Sequence, residues 1–227
     1  MDVREMSVPG AWVFTPKQFG DDRGVFLEAF KASVFSAAVG HELTVAQVNV
    51  SVSKAGTVRG VHFADVPPGQ AKYVCCPKGA LLDVAIDIRV GSPTFGAVDT
   101  VVLDDRDRRA IYLSEGLGHA FMALEDGTTA AYLCSTPYNP TAEHGVTPLD
   151  PALALPWPTE LEPLLSPKDT EAPTLAAARD DDGGALSAHA AQARAASLRP
   201  LGRAARRALV ASAGACLESS RRAGARP

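Results

Sequence analysis

The stretch VAQVNVSVSKAGTVRGVHFADVPPGQAK, residues 45–72, opens as a strand with two unlike faces. Ala46, Val48, Val50 and Val52 alternate with Gln47, Asn49, Ser51 and Ser53, and a period of two marks a strand with one apolar side. The ordinary outcome is apolar residues to the core and polar residues to water. Here the chain adds Arg59, His62 and Lys72 within about two or three strand lengths. A cation able to hold an anion, an imidazole able to move a proton and an ammonium able to steady an oxyanion thus fall on adjacent strands. The polar face is therefore read as the lining of a pocket.

Outward from this stretch, residues 45–137 form strand after strand. The pattern predicts strands at 45–53, 57–63, 71–76, 80–90, 97–103, 109–113, 119–124 and 128–136, separated by Gly, Pro and Asp turns. So many short strands without intervening helices predict an all-β fold. A double-stranded β-helix jelly roll (cupin) is the expected form, because it offers a pocket between its sheets. Upstream, AWVFTPKQFGDDRGVFLEAF (11–30) predicts a hairpin turning at Gly20 to Gly24, and KASVFSAAVG (31–40) predicts a short peripheral helix ending at a glycine. Residues 137–176 are Pro-rich yet carry Tyr138, Trp157 and several leucines, which suits a segment wrapped over the barrel.

Composition narrows the class. The chain has 227 residues, 46% hydrophobic and 21% charged, as in ordinary globular proteins. A formal net charge of −4 gives no electrostatic case for nucleic acid as the main partner. No stretch approaches the length of a membrane span, and MDVREMSVPG lacks the apolar core of a signal peptide. Cys75, Cys76, Cys134 and Cys216 have no CxxC spacing and read as thiols of a reducing compartment, so the expected location is cytoplasmic. The expected domains are 1–176, the jelly roll, and 177–227, an Ala/Arg-rich extension too poor in large apolar residues to fold alone.

Strand alternation puts Lys72 with Val74 and Cys76, His119 with Phe121, and Tyr132 with Ala130 and Cys134. Each such face has one polar group among small or apolar neighbours, as in a mostly apolar pocket with convergent polar groups. Arg59 and His62 are an odd number of residues apart, so both reach one face only if Gly60 hosts a bulge or one lies past the strand end. Plainer readings stand beside these. A lone His is commonly a satisfied core or surface group, Tyr132 a core aromatic, and Arg23 and Glu28 solvated hairpin charges. RGVHF and GLGHAF supply one histidine each, short of the three or four protein ligands of a stable metal site, so no metal and no cofactor are expected.

The motifs DDRGVFLE (21–28), AQVNVSVSKAGTVRGVHF (46–63), PPGQAKYV (67–74), DVAIDIRVGSPTFG (83–96), YLSEGLGHAF (112–121), YLCSTPYNPTAEHGV (132–146), LDPALALPWP (149–158) and LSPKD (165–169) occur in this order. Together they resemble the dTDP-4-dehydrorhamnose 3,5-epimerase family, and within it the deoxysugar epimerases of antibiotic biosynthesis. The resemblance implies a metal-free cupin homodimer that epimerises a dTDP-linked 4-keto-6-deoxy sugar. It implies His62 as general base with Asp169 as its carboxylate partner, Tyr132 as the acid and Lys72 beside the C4 oxygen. His119, Arg23, Glu28, Gln47, Asn49, Arg59, Tyr138, Glu143 and Lys168 are implied as substrate contacts. One departure is SEGLGHAF, where the family commonly has Pro and Gly around the second histidine.

Such chemistry suits these residue types. A proton α to a ketone needs a base at hydrogen-bond range and a charge beside the developing enolate oxygen. Inversion also needs a donor on the opposite face, which one histidine cannot provide. Two alternatives stay open: a 3,4-ketoisomerase, which returns the proton to a different carbon, and a non-catalytic sugar-nucleotide binding module.

Overall fold

The structure, a computed structural model, describes residues 1–180. Its strands are β1 (Asp2–Glu5), β2 (Ala11–Thr15), β3 (Gln18–Asp21), β4 (Gly24–Leu27), β5 (Gln47–Ser53), β6 (Val58–Ala64), β7 (Lys72–Lys78), β8 (Ala80–Asp87), β9 (Val98–Asp104), β10 (Ala110–Leu113), β11 (Leu117–Ala123), β12 (Thr128–Cys134) and β13 (Glu143–Gly145). Helices are α1 (Ala32–Val39), α2 (Pro167–Thr170) and α3 (Leu175–Asp180). A six-stranded sheet runs β1-β2-β10-β7-β12-β5 and a five-stranded sheet runs β13-β6-β11-β8-β9, while β3 and β4 pair only with each other. Every pairing between these strands is antiparallel, and the two sheets make the jelly roll.

Three apolar layers follow from strand alternation. Between the sheets lie Val13, Val74, Cys76, Leu81, Ala85, Ile111, Phe121 and Ala130. Outside the five-stranded sheet, Val61, Phe63, Val84 and Ile86 are covered by Val146, Leu153, Leu175 and Ala178 from the C-terminal wrap. Outside the six-stranded sheet, Phe14, Tyr73 and Tyr112 are covered by Phe35 of α1, whose end is closed by Gly40 at φ 90°. Each aromatic or branched residue buried this way contributes roughly 1.5–3 kcal/mol.

All eight strands expected between residues 45 and 137 are present, with ends shifted by a few residues. The N-terminal hairpin differs from expectation: AWVF is β2, in the large sheet, and the hairpin is only β3–β4. The Pro-rich wrap adds β13, which pairs with β6. The expected extension begins inside α3, and residues 181–227 lie outside the described residues.

The opening strand inverts the ordinary rule. On β5 the valines face outward, with Val48 58%, Val50 66% and Val52 65% exposed, while Ser53 is buried. β5 is the edge of its sheet, beyond the reach of α1. Its polar face turns inward on the side of Tyr132, where Gln47 bonds Asn49 and Ser53 accepts from Arg59, while the cavity wall itself is made by other strands.

Candidate active site

A cavity of about 380 Å3 opens between the sheets, lined by Arg59, His62, Lys72, His119, Phe121 and Tyr132 together with residues 164–166 and Lys168 and Asp169 of the wrap. β6 carries His62 and β11 carries His119 in the five-stranded sheet; β7 carries Lys72 and β12 carries Tyr132 in the opposing one. Groups from different sheets therefore look at a bound molecule from different sides.

His62 Nε2 lies 2.7 Å from Asp169 Oδ1. Asp169 is 4% exposed and is itself held by Ser166, whose hydroxyl donates to Oδ2 at 2.8 Å. The local sequence explains the placement. In SPKD, Ser166 caps α2, Pro167 occupies the first turn, and the Ser166 hydroxyl accepts from the Asp169 backbone N–H at 3.2 Å. Burial pushes the Asp169 carboxyl up, but the bond and charge of His62, together with Ser166 and Lys168, outweigh it and hold the group below the usual carboxylate range. Asp169 is thus an anion facing an imidazole, an arrangement that fixes ring orientation and stabilises the protonated form once a proton is taken.

Across the cavity, burial pushes the Tyr132 phenol up, with Cys134 adding to the effect against smaller opposing influences from Arg59 and Asn49. The phenol therefore stays protonated at neutral pH and can donate. Burial lowers the Lys72 ammonium, with Glu143, Cys134 and Asp83 opposing. At 8% exposure Lys72 is a cation poorly screened by water, which strengthens its attraction for an anionic oxygen.

Arg59 and His62 do reach the same cavity. Gly60, at φ +118°, is where the β6–β11 register slips: His62 stands opposite His119, but Arg59 stands opposite Phe121. A side chain at Gly60 would lie 2.4 Å from the His119 carbonyl oxygen, so the bulge also needs the glycine for space. Arg59 Nε donates to the Ser53 hydroxyl at 3.2 Å.

The wrap is fastened beside β6 by backbone bonds from Val58 N–H to the Leu164 carbonyl (3.0 Å) and from Leu164 N–H to the Gly56 carbonyl (2.9 Å). Gly56 has φ +79°, and a Cβ there would meet the Glu162 carbonyl oxygen at 2.4 Å. Gly56→Ala is therefore expected to displace the wrap and with it Asp169. Since a misplacement of about 1 Å can cost roughly 100-fold, turnover should fall at least about tenfold while circular dichroism of the sheets is retained.

The remaining expected residues divide into two groups. A second cavity of about 330 Å3 is lined by Gln70, Tyr138 and Glu143 among others. Gln47 borders it, its Oε1 accepting from the Tyr138 N–H (2.9 Å) and its amide donating to Asn49 Oδ1 (2.8 Å). Glu143 accepts from the Gln70 amide at 3.4 Å. Arg23 and Glu28 are brought to neither cavity within one chain. Arg23 pairs with Asp21, and Glu28 with Lys31.

Two residues escaped sequence reasoning. Ser166 was visible in principle, since Ser-Pro-x-Asp is a helix-start signature. Asp83 is fully buried, with His119 Nε2 at 3.0 and 3.1 Å from its two oxygens. Its signal was a lone acid inside the apolar run ALLDVAI, residues 80–86. Among the described residues, no group of three or more His, Cys, Asp or Glu side chains is arranged to hold a metal ion.

Comparison with known proteins adds the following. A family model described as dTDP-4-dehydrorhamnose 3,5-epimerase matches residues 5–177. A second, described as the C-terminal domain of Rv1486c-like protein, matches residues 149–210. A dTDP-4-dehydrorhamnose 3-epimerase of Streptomyces niveus is 55% identical over 180 residues, 79% of this chain and 86% of that protein. A dTDP-4-dehydrorhamnose 3,5-epimerase of Mycolicibacterium smegmatis is 55% identical over 179 residues, 79% of this chain and 88% of that one. Among solved structures, NovW, a 4-keto-6-deoxy sugar epimerase from the novobiocin biosynthetic gene cluster of Streptomyces spheroides, superposes with a TM-score of 0.80 at 54% identity, covering 84% of this chain and 94% of that one.

Proposed function

Because the chain belongs to the dTDP-4-dehydrorhamnose 3,5-epimerase family, we propose that His62, Tyr132 and Lys72 carry out its epimerisation of a dTDP-linked 4-keto-6-deoxyhexose. The single supporting observation is that His62, backed by Asp169 at 2.7 Å, and Tyr132 face one cavity from opposite sheets. His62 takes the proton from a carbon next to the C4 ketone. The electron pair moves into the enolate, with charge on the C4 oxygen beside Lys72. Tyr132 delivers a proton to the other face of the same carbon, and the inverted ketone is released. Base and acid are restored by exchange of their protons with water.

Arg59 and Lys168, both on the cavity wall, are suited to the diphosphate, and the second cavity beside Gln47, Asn49, Tyr138 and Glu143 to the nucleoside. The free thiols Cys75, Cys76 and Cys134 suit a cytoplasmic protein, and no helix among the described residues is long and apolar enough to cross a membrane. Borohydride reduction of the 4-keto product, followed by stereochemical analysis of the 6-deoxyhexose, tests the reaction. Inversion at C3, C5 or both supports it and names the carbon. A carbonyl moved to C3 would instead mark a ketoisomerase, and an unchanged sugar would overturn the reading.

A homodimer completes the proposal. The outward valines of β5 form an apolar stripe at an unpaired sheet edge, and Phe19, Val25 and Phe26 of the β3–β4 hairpin are 50–68% exposed. Such surfaces in a soluble chain are interface candidates. A second copy would cover them, and its hairpin would be the route by which Arg23 and Glu28 approach a bound nucleotide. Val50→Glu is expected to convert the dimer to monomer in sedimentation velocity; an unaltered sedimentation coefficient would count against β5 as the interface.

A further inference from the structure

We propose that Asp83 is a positioning residue for the enolate-stabilising side of the site: from the inner face of β8 its carboxylate fixes the His119 ring and adds a buried negative charge opposite the strand that carries Lys72. The inference rests on the epimerase reading and extends it to a group that never touches the substrate.

The geometry is that of a buried clamp. Asp83 on β8 stands opposite Phe121 on β11, and His119 stands opposite Ala85, so Asp83 and His119 are diagonal neighbours on the inner face of one sheet. Both Asp83 oxygens lie within 3.1 Å of His119 Nε2. A carboxylate with no exposed surface accepts hydrogen bonds and donates none, so the ring must present a hydrogen on Nε2 whatever its charge. Nδ1 is then the nitrogen left for other partners. This is the same carboxylate–imidazole construction that holds His62, repeated one strand away.

Asp83 also bears on Lys72 from the facing sheet. A buried, unpaired carboxylate would be costly, and so would a buried, unpaired ammonium. Lys72 is faced by Glu143 from β13, Cys134 from β12 and Asp83 from β8, each favouring its charged form, while burial opposes it more strongly than any of them. Glu143 is partly exposed and Cys134 is a thiol whose ionisation burial itself resists, which leaves Asp83 as the fully buried anion of the three. Removing that charge while keeping the shape should loosen the His119 ring and make Lys72 easier to deprotonate.

Asp83→Asn, assayed on the full chain with the dTDP-4-keto sugar, should lower kcat about 10–100-fold, as loss of an orienting carboxylate typically does. The affinity for dTDP, measured by calorimetry, should not change. The alkaline limb of the kcat profile should move to lower pH, because Lys72 loses a neighbour that holds its proton. A merely structural Asp83 would lower the melting temperature and scale the profile without moving the limb. A kcat within about twofold of the unaltered chain, or an unmoved limb, overturns the proposal. Should the variant fail to fold, 15N-histidine NMR of the unaltered chain decides: hydrogen on His119 Nε2 is expected, and hydrogen on Nδ1 alone overturns it. An unaltered chain that inverts no sugar overturns the proposed function itself, an outcome separate from either of these.

Discussion

His62→Ala should stop deuterium entry at C3 and C5 of the 4-keto sugar. The substitution removes the imidazole that Asp169 holds at 2.7 Å and leaves no other base in its place. His119, the other imidazole of the cavity, is turned by Nε2 toward Asp83 and stands across the β6–β11 pair. Lys72 is a poor substitute because its task, stabilising the enolate oxygen, needs it charged. General base catalysis is worth roughly 10²–10⁴-fold, and loss of the paired charge on Asp169 adds to the deficit, so exchange should fall at least about 1,000-fold. Proton NMR of the sugar in D2O reads it directly. Exchange within about tenfold of the unaltered chain would assign the base elsewhere.

Tyr132→Phe should separate two events that the unaltered chain couples. The ring is half-buried, with Ala130 and Cys134 beside it on the same strand face, so phenylalanine fits with little disturbance. What disappears is the phenol that burial keeps protonated. His62 can still remove a proton and return a deuteron to the same face, so exchange continues while inversion falls about 10²–10⁴-fold. Comparing the deuterium wash-in rate with the rate of product formation checks this. Equal losses in both would mean that Tyr132 assists abstraction as well; no loss in either would remove it from the mechanism.

Much of this was legible in the chain because turns and alternation are local properties. Each turn residue fixes where a strand stops, and residues 45–137 place all eight strands. The polar face of β5 was expected to line a pocket, but the cavity walls come from β6, β7, β11, β12 and the wrap, and the fate of the β5 valines was not readable either. Which side of a strand is covered depends on how far α1 reaches across the sheet. Of the two ways the odd spacing of Arg59 and His62 could reach a common wall, a bulge at Gly60 or a strand end between them, the structure uses the bulge. Asp83 was hidden. Its partner is 36 residues away on a neighbouring strand, and no spacing rule links a lone acid in ALLDVAI to a particular histidine. Asp169 was reached only through the family resemblance, and Ser166 was missed although the SPKD helix start that places both is a local signal. Arg23 and Glu28 remain apart from both cavities within one chain, and their role depends on the dimer.

The most direct test of the central claim, that this cavity removes a proton next to the sugar ketone, is a time course in D2O with the unaltered chain and dTDP-4-keto-6-deoxyglucose. Deuterium should appear at C3, C5 or both, with inversion at the labelled carbon. A sugar recovered with both positions fully protonated, under conditions where dTDP binds, would contradict it.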